Sequence, residues 1–369
     1  KEEVWIMQHN SNKHVVFVMP TLDGGGAERV VSIISNYLVE KDFEVSIYLL
    51  RSKSIAYELN PNIEIKTMIP KSDNGIIKKI QTIKSLKKLM RDNSQAVFIS
   101  FMTNENIYLT LSALGLSAKV VVSERNDPYK TIHGKLKRFL INSLYGIKQC
   151  RQIVFQTTGA MGYYDGKVQK KGIIIPNPIK SDLPESFTGV RSKEIVSFAR
   201  LEPQKNYPML IDAFEMFSRE HEDYTLGIYG QGEQEKQLKL MVKEKGIDNK
   251  VTFYGFCADV HNRIRNAAMF VLASDYEGLS NSMLEALAIG LPCVCTDCSP
   301  GGAKMFIKNG ENGFLVPTRN PVKMYEAMNQ IVSDKRLEEK ISANASKIRT
   351  QLSVDSVCKM WADLIHNLF

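Results

Sequence analysis

Two successive series of short apolar runs, each run followed by a helical stretch, constrain this chain more than any other feature. The first series covers residues 14–19, 45–50, 63–68, 96–101, 120–123 and 153–156, all read as buried strands. Helical spacing fills the gaps: Val30, Val31, Ile34 and Leu38 share one face of residues 28–39, and residues 76–91 and 135–145 behave likewise. A second series (195–199, 225–229, 251–254, 269–273, 292–296 and 313–316) follows Pro176-Asn177-Pro178, which with residues 181–189 reads as a linker. Strand and helix alternation implies parallel, doubly wound sheets, so the fold class is α/β. At 369 residues the chain exceeds the roughly 100–200 of one domain. Two domains are expected, 1–176 and 177–353, with a ligand cleft between them. The helix over 354–369 is expected to fold back on the first domain, and residues 1–13 read as a lead-in.

Composition narrows the class. With 44% apolar and 24% charged residues and no low-complexity tract, the chain is globular rather than disordered or fibrous. No run approaches the roughly 20 apolar residues of a membrane-spanning helix, and the amino terminus carries no signal-like apolar core, so a cytoplasmic location is expected. The six cysteines suit a reducing compartment. Cys293, Cys295 and Cys298 lie close in sequence, but their spacing fits a buried strand and loop better than a metal site, and no histidine is near. Neither a metal nor a resident cofactor is expected. Charge is uneven: residues 1–180 hold 26 basic against 15 acidic side chains, a net +11, whereas the remainder holds 22 against 25, a net −3.

Three segments place chemistry at strand ends. Gly24-Gly25-Gly26 lies between a strand and a helix, where bare amides and the helix dipole meet an anion such as a diphosphate; a plain tight turn would look the same. Its spacing is not G-x-G-x-x-G, which argues against a dinucleotide. Arg200 and Lys205 flank a turn after the first strand of the second series, at the edge where open sheets bind ligands. Two cations there can neutralise a departing diphosphate, although each taken singly passes for solvated surface. No D-x-D occurs, so metal help of the common kind is not expected. The third segment, Glu277-Gly278-Leu279-Ser280-Asn281-Ser282-Met283-Leu284-Glu285, runs from a loop into a helix. Amides near Ser282 and Met283 fall at a helix amino terminus, fit for phosphate, and carboxylates suit sugar hydroxyls. Acids that merely cap a helix are the plain alternative.

This segment resembles the E-x7-E signature of the large retaining glycosyltransferase family of the two-Rossmann GT-B fold, called group 1 or family four. Other pieces agree with it. Gly24 to Arg29 is similar to the family's G-G-A-E-R loop, Ala199 to Asn206 to its arginine and lysine pair, and Pro176-Asn177-Pro178-Ile179 to its interdomain N-P-I. Tyr229-Gly230-Gln231-Gly232 and Gly255-Phe256 resemble a glycine turn and a base-contacting strand end. The resemblance implies two Rossmann-like domains facing across a cleft, the first for acceptor and the second for donor. It implies that backbone around Gly255 and Phe256 reads the nucleobase, Glu285 the ribose, Arg200, Lys205 and Ser282 the diphosphate, and Glu277 the donor sugar. Gly25, Gly26 and the loop Gly278 to Met283 complete that pocket. Retention in such enzymes is generally ascribed to departure and attack on one face, with the leaving phosphate taking the acceptor proton, so no paired glycosidase carboxylates are needed. In one departure, many members carry a histidine where this chain reads Ser123-Glu124-Arg125-Asn126-Asp127-Pro128. His133 lies beyond a proline turn, so Glu124 or Arg125 is expected to face the sugar or acceptor instead.

The expected function is transfer of a hexose or N-acetylhexosamine from a nucleotide-diphosphate sugar, a UDP-sugar by preference, to a saccharide acceptor. A lipid-linked intermediate of cell-surface polysaccharide or glycan is the acceptor in view. The alternatives are a nucleotide-sugar epimerase on the same fold and a non-catalytic sugar-nucleotide-binding partner. Residues 76–91 form a basic amphipathic helix that, with Lys135, Lys137 and Arg138, points to peripheral contact with anionic lipid on the inner face of the plasma membrane. A packed helix with a solvated charged side has the same pattern. Aromatics are not interleaved with these cations, so nucleic acid is not expected.

Overall fold

A computed structural model describes residues 13–369; the lead-in and the amino-terminal apolar-core reading fall, but for Lys13, outside the described residues. Apolar runs without polar alternation form strands here because a parallel sheet is covered on both faces. The first sheet comes from β1 (His14–Met19), α1 (Gly26–Glu40), β2 (Glu44–Leu49), β3 (Glu64–Thr67), α2 (Gly75–Asp92), β4 (Val97–Phe101), α3 (Thr103–Ala113), β5 (Lys119–Glu124), α4 (Lys135–Tyr145), β6 (Cys150–Phe155) and β7 (Gly172–Ile174). Its seven parallel strands lie in the order β3-β2-β1-β4-β5-β6-β7. The order reverses between β1 and β4, and the carboxyl end of β1, which carries the three glycines, is therefore the place where such a sheet opens a crevice.

The second sheet repeats the plan. It comprises β8 (Glu194–Phe198), α5 (Tyr207–Glu220), β9 (Thr225–Tyr229), β10 (Val251–Gly255), α6 (Val260–Ile264), β11 (Met269–Leu272), α7 (Asn281–Ala288), β12 (Cys293–Thr296) and β13 (Phe314–Val316). The parallel order β10-β9-β8-β11-β12-β13 reverses between β8 and β11. Arg200 and Lys205 follow β8 and Glu277 follows β11, so the reversal gathers both expected groups at one crevice.

Some elements differ from their sequence reading. Residues 63–68 were expected as a buried strand, yet all four residues of β3 are exposed. β3 is the sheet's edge, and its charged pair Glu64 and Lys66, 2.7 Å apart, discourages further strand pairing there. Residues 172–174, given no element in the sequence reading, pair with β6 as β7. The linker is no loose tether either: Ile175, Ile179 and Leu183 are buried in the main core, and the Ile179 amide donates to the Leu352 carbonyl at 2.8 Å. The last helix, α8 (Val354–His366), returns to the first sheet and packs on α1. Its Trp361 is fully buried and stacks on Phe101 with ring centroids 5.5 Å apart. Cys293 and Cys295 occupy alternate positions of β12 in the core, where burial raises both thiols, and Cys298 beside them is pushed up to about 12.

Candidate active site

A cavity of about 630 Å³ opens between the two sheets. Of the residues singled out in the sequence, Gly25, Gly26 and Arg125 line it from the first sheet, and Arg200, Lys205, Glu277, Gly278, Leu279 and Asn281 from the second. Gly24 turns the chain with φ +116°, a conformation costly for other residues, so that Gly25 can cap α1 from an extended conformation. The amino terminus of α1 thus points its free amides at the cavity.

On the opposite wall, Glu277 is nine-tenths buried and fully engaged. Lys205 Nζ donates to Glu277 Oε1 in a close ion pair, the Ser274 hydroxyl donates to the same oxygen at 2.7 Å, and the Gln204 amide donates to Oε2 at 3.3 Å. The turn that carries Lys205 is held unusually. Asn206 sits in the left-handed region at φ 46° while capping α5, and its amide donates to Asp275 Oδ1 at 2.9 Å. Arg319, also left-handed at φ 56°, donates through Nε and Nη2 to Asp275 Oδ2 at 3.1 and 2.7 Å. Asp275 therefore clamps two strained residues and fixes the approach of Lys205 to Glu277. Arg200 is the exposed member: its side chain is 73% exposed and, among the described residues, ion-pairs with Glu202 alone, at 2.8 Å.

The two walls are joined by polar contacts. Asn177 in the linker accepts from Arg125 Nη1 at 3.0 Å and Gln156 Nε2 at 2.6 Å, both of the first sheet, and donates to Asn281 Oδ1 at 2.7 Å. Gly278 packs so closely on the first sheet that a Cβ there would lie 2.3 Å from the Arg125 carbonyl oxygen. Arg29 on α1 reaches across to ion-pair with Glu285 on α7, whose other oxygen lies 2.8 Å from His261 Nε2. Burial works against the Glu285 carboxylate, but the His261 hydrogen bond and the Arg29 charge outweigh it and hold the carboxyl below its ordinary value. The sequence reading assigned Arg29 and His261 no role. A 256-residue separation hides the Arg29–Glu285 pair from local pattern, and only the G-G-A-E-R string signals Arg29.

Several expected site residues are placed differently by the structure. Glu124 does not face the cleft: it is 2% exposed, and its carboxylate accepts hydrogen bonds from Tyr145, Thr103 at 2.9 Å and Asn106 at 3.2 Å beneath β5. Burial pushes its carboxyl up despite those bonds. Met283 is not on the cavity wall: its N–H donates to Ser280, the cap of α7, at 3.4 Å, and its side chain is buried in the core. Ser280 and Ser282 bond each other at 2.9 Å. Gly255 and Phe256 lie outside the cavity wall, with Phe256 76% exposed past the end of edge strand β10. Arg125 does line the cavity, but its guanidinium turns inward, 4.4 Å from the Phe101 ring centroid and 5.6 Å from that of Trp361. Burial lowers its pKa to about 9, and Nε and Nη2 have no hydrogen-bond partner among the described residues.

Residues 181–348, nearly all of the second sheet and its helices, match the family model described as glycosyl transferases group 1. Over that segment the chain matches the group 1 glycosyltransferases. Relatives extend over at least 90% of its length. The chain is similar to a Campylobacter jejuni GalNAc-alpha-(1->4)-GalNAc-alpha-(1->3)-diNAcBac-PP-undecaprenol alpha-1,4-N-acetyl-D-galactosaminyltransferase, 26% identical over 95% of this chain and 98% of that one. It is also similar to an N-acetylgalactosamine-N,N'-diacetylbacillosaminyl-diphospho-undecaprenol 4-alpha-N-acetylgalactosaminyltransferase of the same organism, 29% identical over 90% of this chain and 93% of that one. The Anabaena protein Alr3699/HepE, crystallised with UDP and glucose, shares the GT-B fold with a TM-score of 0.78 at 16% identity, over 96% of this chain and all of that one. The matched family is one of enzymes that transfer sugar, and the cavity lies between the two sheets of the GT-B fold.

Proposed function

We propose that the enzyme transfers an N-acetylhexosamine or hexose from a UDP-sugar, with retention and without a metal, to a lipid-linked saccharide of cell-surface glycan or polysaccharide assembly. The observation that carries this reading is the engagement of Glu277 with Lys205 at one cavity beside Arg200 and the amino terminus of α1. A diphosphate set between those cations and the free amides of α1 has its developing charge neutralised by protein groups. Glu277, held by Lys205 and Ser274, presents a fixed acceptor to sugar hydroxyls.

In the proposed reaction the bond from C1 of the sugar to the β-phosphate oxygen breaks, and its electron pair leaves with UDP. The acceptor hydroxyl oxygen bonds C1 on the same face and gives its proton to the departing phosphate oxygen. Arg200, exposed on the cavity wall, is the cation that meets the charge growing on that phosphate. The UDP held by the Anabaena structure supports the choice of nucleotide, and the undecaprenyl diphosphate acceptors named for both Campylobacter relatives support the choice of acceptor. Glu285 is the ribose partner in this reading, so donor entry exchanges the Arg29 contact for ribose hydroxyls.

The test is release of UDP from a panel of UDP-hexoses and UDP-N-acetylhexosamines, with GDP-mannose as control, in EDTA. Release from one donor that EDTA spares supports the reading. Release that EDTA abolishes overturns metal independence, and binding of UDP with no release from any donor, acceptor present, favours a non-catalytic binding partner.

A further inference from the structure

The first turns of α2 and α4 are not packed as their sequence pattern suggests. The apolar side chains of α2 divide along its length: Leu86, Leu89 and Met90 are buried, whereas Ile76 is 71% exposed and Ile77 and Ile80 are each 48% exposed. α4 repeats this arrangement, with Ile141 and Tyr145 buried while Leu136, Phe139 and Leu140 are 71%, 66% and 51% exposed. Each helix leaves β3 or β5 at the carboxyl edge of the first sheet, the edge that carries the glycine loop and faces the cleft. α3 packs against both helices, so the two apolar turns stand on one side of the sheet. Within each helix start, large apolar side chains clustered on one turn are rarely left in water without a partner.

Charge selects the partner. Lys78 and Lys79 interleave with the isoleucines, Lys135 and Lys137 with the leucines and phenylalanine, and all four are exposed. None of the four has an ion-pair partner among the described residues. Apolar side chains ringed by unpaired cations match the interface of an anionic bilayer, where the chains enter the acyl boundary and the cations meet headgroup phosphates. We propose that this two-helix lip is a docking surface for an anionic phospholipid membrane and seats the cleft beside the bilayer. The sequence pattern pointed to residues 76–91 as a basic amphipathic helix, joined by Lys135, Lys137 and Arg138; the structure puts exposed apolar turns of two helices at the centre, with cations interleaved. Docking here deepens the proposed use of a lipid-linked acceptor, since an acceptor held in the membrane can then reach the cleft without leaving it.

The test is co-sedimentation of the full chain with vesicles of phosphatidylglycerol mixed with phosphatidylcholine, and with phosphatidylcholine alone. Wild type is expected to pellet with the anionic vesicles, to be weakened by salt, and to bind neutral vesicles at least about tenfold less well. The double variants Leu136→Ser/Phe139→Ser and Ile76→Ser/Ile77→Ser are expected to lose binding by roughly tenfold each, whereas Leu240→Ser, 61% exposed on the second domain, keeps it. UDP release in detergent-free buffer, followed in the same preparations, is expected to be unchanged in the lip variants, which separates docking from the transferase reading. Lip variants that pellet like wild type, or a wild type that ignores anionic vesicles, would overturn the proposal. So would a wild type that forms dimers by light scattering, loses them in the lip variants and never binds vesicles, which assigns the lip to a second copy.

Discussion

The two carboxyl edges that face each other across the cleft are built on opposite terms. On the second sheet the polar groups near the reaction are tied to one another: Lys205 and Ser274 on Glu277, and Asn206 and Arg319 on Asp275. On the first sheet the edge carries bare glycine amides, the inward-turned Arg125 and two unpacked apolar helix starts. In the proposed function, the difference gives a donor side set before substrate arrives, as stabilisation of a leaving diphosphate requires, opposite a side left open for the proposed lipid-linked acceptor.

The largest effect should come from breaking the tied side. Glu277→Ala or Lys205→Ala is expected to lower UDP release by about 100-fold to 1000-fold, since each leaves its buried partner unpaired as well as removing a group that faces the sugar or diphosphate. Glu124→Gln is the contrast, because that carboxyl lies under β5: turnover should stay within about threefold, and any change should appear in thermal stability. Equal losses in both variants would erase the distinction between the edges.

Closure comes next. A methyl group at Gly278 would meet the Arg125 carbonyl, which is backbone and cannot turn away. Gly278→Ala is expected to cost about 1–3 kcal/mol of the closed state, or roughly tenfold to 100-fold in UDP release, with each sheet still folded by circular dichroism. Asp275→Ala should act more gently. Freed of its clamp, the Asn206 and Arg319 turn relaxes and Lys205 loses its fixed approach to Glu277, for a loss of about tenfold in kcat with donor KM little changed.

The smallest effect concerns Glu285. Its folded carboxyl is held below the ordinary value, so the stabilisation it supplies is complete above about pH 5 and fades as pH falls through the lowered value. The melting temperature of wild type should therefore drop more steeply than that of Glu285→Gln between about pH 5 and pH 3. Parallel curves would mean that the Arg29 bridge does not hold the closed state.

Much of this was legible because it is local. The strand at 225–229 and the helix at 135–145 follow from apolar spacing alone, and the two reversals of strand order follow from the repeated strand and helix plan. What escaped depends on neighbours that sequence does not place. Whether Glu124 or Arg125 turns toward the cleft depends on what lies under the end of β5, and Tyr145, Thr103 and Asn106 there claim Glu124. The exposure of β3 reflects its place at the sheet edge, not its composition. That the starts of α2 and α4 are exposed while their later turns are buried was not legible, because periodicity reports a helical face and says nothing of where the packing ends.

The central claim is that chemistry takes place on one face of the donor sugar inside the closed cavity, and the first anomer released tests it most directly. With a UDP-sugar carrying an α diphosphate bond and water as the acceptor, proton NMR can follow the free sugar before it mutarotates. The account predicts the α anomer at first, decaying to the equilibrium mixture, and its loss in Glu277→Ala. Initial release of the β anomer would mean attack from the opposite face and would contradict it.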